Sequence, residues 1–262
     1  MNVAGKEIEE NNAMKTTIAL TTIALGLFGP SERQSYAAET FEQMPAALET
    51  RFALSALPPA LRDQATVSLL DPAKGYRLAR QGTNGLACLV ERTVWEWAEL
   101  RDDIYIPLCY DAAGAKAHLR VMMDVAELRA KGMSAEAIKS EVEKRYRSKI
   151  YSAPTRPGLS YMIAPVFRAL GPPDMKTHTM AMPHVMFYAP GLTNEDIGAR
   201  PSLSDYATLQ YPFIDRQGNA EQSYMIQLIG DAEKAKILAD EKALLADLCA
   251  YRDVLCLPES NH

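Results

Sequence analysis

The stretch Arg80-Gln-Gly-Thr-Asn-Gly-Leu-Ala-Cys88, followed downstream by Pro107-Leu-Cys-Tyr-Asp111, is the most informative about the fold. Asn-Gly tolerates the positive φ that a tight turn needs, so it predicts a hairpin between runs 76–80 and 86–92. The apolar run 65–70 precedes them, beyond a turn at residues 71–75. Together the three runs predict an antiparallel three-stranded meander, with the two cysteines on or just after strands.

The remaining runs predict an α+β fold. Helical and strand patterns come in separate blocks, which favours α+β over a doubly wound sheet. Gly132 ends one helical pattern and Ser134 opens another, so these residues predict an αα-hairpin. The predicted elements are this αα-hairpin over residues 119–147, a strand hairpin formed by residues 211–214 and 223–229, and a closing C-terminal helix after Asp231.

The N-terminal region has the pattern of an export signal. Lys15 precedes the apolar run Thr16–Phe28, and Ser35-Tyr36-Ala37 offers the small residues that a signal peptidase reads. An apolar run of about 13 residues falls short of the roughly 20 needed to span a bilayer. Residues 1–37 are therefore predicted as a signal peptide, with Met1–Ala13 as an extension before the true start, and residues 38–262 as one α+β domain in the periplasm or medium.

The charge of the chain limits its partners. The formal net charge is −5 at pH 7, and the sequence has no basic run. A mildly acidic surface argues against nucleic acid and against anionic membranes as partners. We therefore expect no nucleic-acid partner, and no membrane partner once the signal is removed.

The four cysteines predict disulfides, because an exported chain meets an oxidising compartment. Cys88 with Cys109 is the first pairing, and it encloses the segment Trp95–Trp97, which predicts either a ligand shelf or part of the core. Cys249 and Cys256 are seven residues apart, and two helical turns would hold them about 10 Å apart. The second pairing therefore requires the C-terminal helix to end between them.

Three short motifs resemble a pattern in uncharacterised bacterial exported proteins. The motifs are G-T-N-G-x-x-C at Gly82–Cys88, P-x-C-x-D at Pro107–Asp111 and P-H-x-M at Pro183–Met186. The resemblance implies a shared architecture over about residues 65 to 190. It implies no activity and no catalytic residue.

Four polar residues are candidates for binding a small ligand or a protein partner. An arginine in the loop before a predicted strand can hold an anion through its guanidinium, and the other three lie in the motifs just described. The candidates are Asn84, Asp111, Arg156 and His184.

Histidine and methionine alternate in segment 175–186. On one extended strand, His178, Met180, Met182, His184 and Met186 would all point to the same face. Thioether and imidazole ligands select copper, which an exported protein meets without a competing thiol pool. Five ligands along a strand cannot close round one ion unless the chain bends at Pro183, so we expect core packing by the methionines instead.

A Cys/His hydrolase is the enzymatic alternative. It would use Cys88 or Cys109 as thiolate, His184 as base, and Asn84 or Asp111 as the orienting group. The sequence has no phosphate-binding glycine loop, no His-Glu-x-x-His, no Cys-x-x-Cys and no calcium loop. We therefore expect an exported domain that binds a small ligand or partner without catalysis and without a cofactor, with periplasmic copper binding and the hydrolase as alternatives.

Overall fold

A computed structural model describes residues 42–216 and 218–258 of this chain. The predicted signal peptide lies outside the described residues. Within them the chain folds into ten strands in two sheets, with helices on both sides of the larger sheet. The strands are β1 (Thr66–Asp71), β2 (Gly75–Arg80), β3 (Ala87–Glu91), β4 (Ile106–Tyr110), β5 (Leu159–Met162), β6 (Phe167–Gly171), β7 (Lys176–Met180), β8 (His184–Tyr188), β9 (Phe213–Arg216) and β10 (Ser223–Leu228).

The helices are short, and none of those described has the length and apolar character needed to span a membrane. A π-helical stretch, Ala115–Leu119, joins the third helix to the fourth, and Trp95–Trp97 forms a 3₁₀ turn. The α-helices are α1 (Ala46–Ser55), α2 (Pro59–Arg62), α3 (Ala112–Gly114), α4 (Arg120–Ala130), α5 (Ala135–Arg147), α6 (Asp231–Asp240) and α7 (Lys242–Tyr251).

The larger sheet has eight strands in the order β2-β1-β3-β4-β5-β8-β10-β9, and β6 pairs with β7 in a separate two-stranded sheet. All neighbours are antiparallel except β1 and β3, which run parallel. Mainly antiparallel strands with segregated helices make this an α+β fold, as the sequence predicts. The C-terminal strands β9 and β10 are antiparallel neighbours, with Phe213 opposite Ile226.

The predicted hairpin between β2 and β3, and with it the meander, is wrong, because β3 pairs with β1. The turn residues are held by the segment before β1. Thr83 and Asn84 donate their backbone N–H groups to Gln64 O at 2.7 and 3.2 Å. A side chain at Gly82 would meet that same carbonyl at 2.2 Å, so only glycine allows this close approach. The loop therefore crosses over β1 and delivers β3 on its far side.

One face of the large sheet, the disulfide face, is covered by α1 and α7. Cys88 on β3 lies directly opposite Cys109 on β4, and the structure joins them, with Cα atoms 4.1 Å apart. Phe52 of α1 and Leu248 of α7 are fully buried in the core on this side. Burial of such side chains contributes about 1.5–3 kcal/mol each.

The opposite face, the cavity face, is formed by the residues that alternate with those of the disulfide face. Leu89, Leu108, Met162, Met186 and Ile226 are buried in a second core on this side. Phe167 and Ala169 of β6 belong to the same core, so the two-stranded sheet packs on the large one. The cavity face is thus covered by the small sheet and by the start of the helical region.

The αα-hairpin forms from α4 and α5 as predicted. Gly132 takes a positive φ of 79° between the helices, and the Ser134 hydroxyl accepts a hydrogen bond from Ala137 N at the start of α5. Arg145 then ties α5 to α4 through Asp124, with 2.9 Å between Nη1 and Oδ2. The buried side of the hairpin packs against Trp95.

The C-terminal helix is not the single helix predicted, because the chain breaks at Glu241 between α6 and α7. The Glu241 carboxylate forms an ion pair with Arg62 of α2. Helix α7 ends at Tyr251 and a 3₁₀ turn follows, which brings the Cα atoms of Cys249 and Cys256 to 4.4 Å within a second disulfide. The helix ends early enough for this bridge, as the sequence required.

Candidate functional site

A cavity of about 150 Å³ lies between the cavity face and the elements that cover it. Its floor comes from the sheet, through side chains such as Leu108, Met186 and Ile226. Its walls come from β6, α4 and the Trp95–Trp97 turn. Cavities of roughly 150 Å³ can hold a molecule the size of benzene, so this space is large enough for a small organic ligand.

Large apolar side chains form most of the cavity wall. Trp95 and Phe167 are buried, whereas Trp97, Met122 and Met182 are half-buried and lie nearer the surface. The turn between β9 and β10 packs closely against the Trp95–Trp97 turn. A Cβ atom added at Gly218 would lie only 2.6 Å from Glu96 Cγ. Aromatic and thioether surfaces of this kind suit an apolar or cationic ligand.

Glu91 is the most unusual residue of the cavity. Glu91 is the last residue of β3 and lies two residues after Leu89, so both side chains are on the cavity face. The Glu91 side chain is buried, with 7% of the residue exposed. Its carboxyl group has no hydrogen bond to any of the described residues. Burial, with a further contribution from the charge of Glu96, holds the pKa of Glu91 well above its usual range. Because Glu91 lines the cavity, a molecule bound there could hydrogen-bond to its carboxyl group.

Two further acidic residues, Glu96 and Asp215, line the same cavity and are half-buried. Burial raises the pKa of Glu96 to about 8, and the charge of Asp215 adds to the rise. Lys139 of α5 lies nearby, where it donates to the backbone carbonyl of Glu96 at 2.9 Å. Within the part of the chain that the structure describes, no lysine or arginine lines the cavity.

His184, at the start of β8, has one ring nitrogen, Nε2, that can act as a hydrogen-bond acceptor. Its Nδ1 lies 2.7 Å from Met182 O, and a carbonyl can only accept, so Nδ1 carries the hydrogen. Burial lowers the pKa of His184, which favours the neutral ring. Nε2 is then a lone-pair acceptor, and among the described residues nothing donates to it.

A cluster of buried rings lies next to the cavity. The hydroxyls of Tyr110 and Tyr224, both cavity residues, are 3.1 Å apart. The π-helical stretch turns His118 inward, 4.9 Å from the Tyr224 ring and 5.2 Å from the Tyr188 ring between centroids. Burial lowers the pKa of His118 to about 4, and neither ring nitrogen has a hydrogen-bond partner in the described chain. His118 is therefore a neutral core residue.

No family model, curated protein or solved structure matches this chain. The geometry of the site is therefore the basis for any functional argument.

The four predicted ligand-binding residues are not brought together. The Asn84 side chain ties its loop to α2, donating to Leu61 O at 2.8 Å. Asp111 caps α3 by accepting from Gly114 N at 2.9 Å, and it also accepts from Leu159 N at 3.1 Å. Both side chains are thus engaged in hydrogen bonds that hold the backbone in place.

Arg156 lies in a second, separate depression of about 480 Å³ near the surface, together with Lys116 and Arg120. All three cationic side chains are exposed. Of the four candidates, only His184 lies in the interior cavity. A role for Arg156 in holding an anion stays a prediction.

The five alternating histidine and methionine residues do not share one strand. The chain leaves β7 at Met180, passes Pro183 and enters β8, so the residues divide between two sheets. His178 Nε2 lies 2.6 Å from Asp174 Oδ1 on the two-stranded sheet. Met182, His184 and Met186, which alternate along the chain into β8, all line the cavity, so three of the five lie together.

The Cys/His hydrolase is contradicted, because both of its possible nucleophiles are oxidised. Cys88 and Cys109 form a disulfide, and free cysteines are absent from the described residues. The bridge also lies in the core of the disulfide face, whereas His184 faces the cavity on the other side of the sheet. A disulfide sulfur is not a thiolate, so this pair cannot perform nucleophilic catalysis.

Sequence reasoning missed Glu91, Glu96 and the tyrosine pair of the cavity. One signal was available for Glu91, since it occupies an apolar position in the alternation of its strand, two residues after Leu89. A charged residue at such a position is rarely buried without a partner. Trp95 and Trp97 were predicted as a ligand shelf or as core, and both line the cavity.

Proposed function

We propose that this protein binds a small organic molecule in the interior cavity and does not catalyse a reaction on it. The observation that carries the proposal is the pairing of aromatic walls with polar atoms that lack a protein partner. The Glu91 carboxyl and His184 Nε2 both belong to cavity residues. A concave, mostly apolar site with a few convergent polar groups is the usual form of a small-molecule site.

The two tryptophans provide a direct assay, because they are the only ones in the chain and both line the cavity. We expect a bound ligand to change their fluorescence and to raise the melting temperature. A ligand at 100 times its Kd stabilises the folded state by about 2.7 kcal/mol. For a protein of this size each kcal/mol raises the melting temperature by roughly 2–4 °C.

A cavity-filling variant tests where the ligand binds. Ala169 of β6 is buried and lines the cavity, so Ala169→Leu places three additional carbon atoms in that space. Ala235 of α6 is exposed, and Ala235→Leu is the matched control. We expect the first variant to lose ligand-induced fluorescence changes and the second to keep them. Equal binding by both variants would place the ligand elsewhere and overturn the proposal.

We also propose that the protein is exported to the periplasm or the medium. Disulfides persist in oxidising compartments, and the described residues contain two. The signal-like pattern ending at Ala37 and the resemblance to exported bacterial proteins support the same proposal.

Copper binding is a second candidate, because Met182, His184 and Met186 line the cavity together. Two thioethers and an imidazole Nε2 are ligands that suit Cu(I). An anaerobic Cu(I) titration with the tryptophan readout would test it, with His184→Ala losing the metal and His178→Ala keeping it. If Cu(I) leaves both fluorescence and melting temperature unchanged, the three side chains pack and do not ligate.

A further inference from the structure

Building on the proposed function, we propose that the ligand is a small organic cation whose ammonium group binds Glu91 and whose apolar body packs on the aromatic walls. The inference uses three features of the cavity. They are the buried carboxyl, the absence of a basic side chain among the described lining residues, and the limited volume.

The carboxyl of Glu91 defines the charge of the ligand. Three acidic residues, Glu91, Glu96 and Asp215, line the cavity, and no lysine or arginine of the described chain lines it with them. An anionic ligand would find no basic side chain among the described lining residues, whereas a cation would favour ionisation of the carboxyl groups that it meets. An ammonium group provides the donors that the Glu91 carboxyl lacks within the protein.

The other polar atoms suit the same group. An ammonium has three donors and no acceptor. The Glu91 carboxylate can accept one hydrogen bond, and the lone pair of His184 Nε2 can accept another. His184 cannot compete as a cation, because its Nδ1 hydrogen is already directed to Met182 O and burial keeps the ring neutral.

The walls define the body of the ligand. A volume of about 150 Å³ admits one six-membered ring with a short side chain. Trp95, Trp97 and Phe167 are placed to contact such a ring. Their faces also attract a cation through the negative potential of the rings. A primary amine with a single aromatic ring therefore matches both the charge and the size of the site.

The inference also predicts how the affinity for the ligand depends on pH. Because burial raises the pKa of Glu91 and of Glu96, binding of an ammonium at neutral pH should release a proton to solvent. Affinity should therefore rise with pH between 6 and 8. The titratable or charged groups around the Glu91 carboxyl are Glu96 and Asp215, His184 of β8, Tyr110 of β4, Tyr224 of β10, Tyr76 of β2, and Lys139 of α5 beside Glu96.

The test uses three probes of nearly equal size, namely benzylamine, benzyl alcohol and benzoate. Each is titrated into the full mature protein, Glu91→Gln and Glu49→Gln, with tryptophan fluorescence and calorimetry as readouts. Glu49 is a matched control, since it is also a buried glutamate but lies on α1 and does not line the cavity. We expect the wild type and Glu49→Gln to prefer benzylamine, and Glu91→Gln to weaken benzylamine by about 30-fold or more.

The outcomes separate this inference from the proposed function. If benzyl alcohol binds as tightly as benzylamine, or Glu91→Gln keeps full affinity for benzylamine, the inference of a cationic ligand is refuted. The proposal that the cavity binds a small molecule then still stands. If none of the three probes changes the tryptophan fluorescence, the ammonium inference fails, and the Ala169→Leu comparison with Cu(I) then decides whether the cavity binds anything. Should Glu91→Gln not fold, the wild-type pH series decides, because affinity for benzylamine that does not rise from pH 6 to 8 contradicts the inference.

Discussion

Replacing Glu49 with glutamine should change how the stability of the protein depends on pH. Glu49 lies on α1, 3% exposed, and its Oε1 accepts a hydrogen bond from Leu70 N at 2.8 Å. Burial raises the pKa of Glu49 from 4.5 to about 7, and the charges of Arg92 and Arg77 only partly oppose this. The folded state therefore holds the Glu49 proton more tightly than the unfolded state does.

The direction of the effect follows from proton linkage. Between about pH 4.5 and 7 the folded state binds more protons at Glu49, so the free energy of unfolding falls as pH rises through this window. The rise of the Glu49 pKa from 4.5 to about 7 corresponds to a cost of roughly 3 kcal/mol, fully present above pH 8. Glutamine keeps the acceptor for Leu70 N and has no charge, so Glu49→Gln removes this cost.

Urea denaturation at pH 5, 6, 7 and 8, with the disulfides intact, measures the effect. We expect the stability of Glu49→Gln relative to wild type to increase by up to roughly 3 kcal/mol between pH 5 and 8. Glu91 and Glu96 make the wild type lose stability in the same direction, but they are present in both proteins and cancel in the difference. A difference between the two proteins that stays constant with pH would refute the reasoning.

Three further predictions concern the disulfide, the tyrosine pair and export. Replacing Cys88 and Cys109 by alanine should lower the free energy of unfolding by about 3 kcal/mol, measured by urea denaturation, and an unchanged stability would contradict the role of the bridge. Tyr224→Phe removes the partner of the Tyr110 hydroxyl and should cost about 1–3 kcal/mol in the same assay, whereas no loss would mean that the pair adds nothing. N-terminal sequencing of secreted protein should begin near Ala38, and an intact Met1 would exclude the signal peptide.

Local chemistry made part of the fold predictable. Gly132 and Ser134 separate two helices because a glycine at positive φ and a serine cap act within a few residues of their own position. The pairing of Cys88 with Cys109 was also predictable, since both lie on or next to strand-like runs of a chain that is predicted to be exported. Signals of this kind need no knowledge of distant contacts.

Strand partners were not predictable from the same local signals. The Asn84-Gly85 turn is compatible with a hairpin, and Gly85 does take a positive φ of 78°. Backbone contacts with Gln64, however, direct β3 to the far side of β1. Hydrogen bonds between residues distant in sequence thus override the preference of the turn.

The candidate site depended even more on tertiary structure. His184 was singled out for its residue type, but its role depends on which sheet β8 joins and on which face of that sheet its side chain lies. Glu91 can be recognised as a site residue only once the structure shows that it faces the same cavity as Trp95 and Phe167. No spacing in the sequence connects these positions, because the cavity is assembled from seven strands, helix α4 and several turns and loops.

A crystal structure of the protein grown with benzylamine, and in parallel with benzyl alcohol, tests the central claim most directly. The account predicts a ligand in the interior cavity, with its ring against Trp95 and, for benzylamine, its nitrogen within hydrogen-bonding distance of the Glu91 carboxylate, about 3 Å. A cavity that holds only ordered water in both crystals, or is closed by the surrounding side chains, would contradict it.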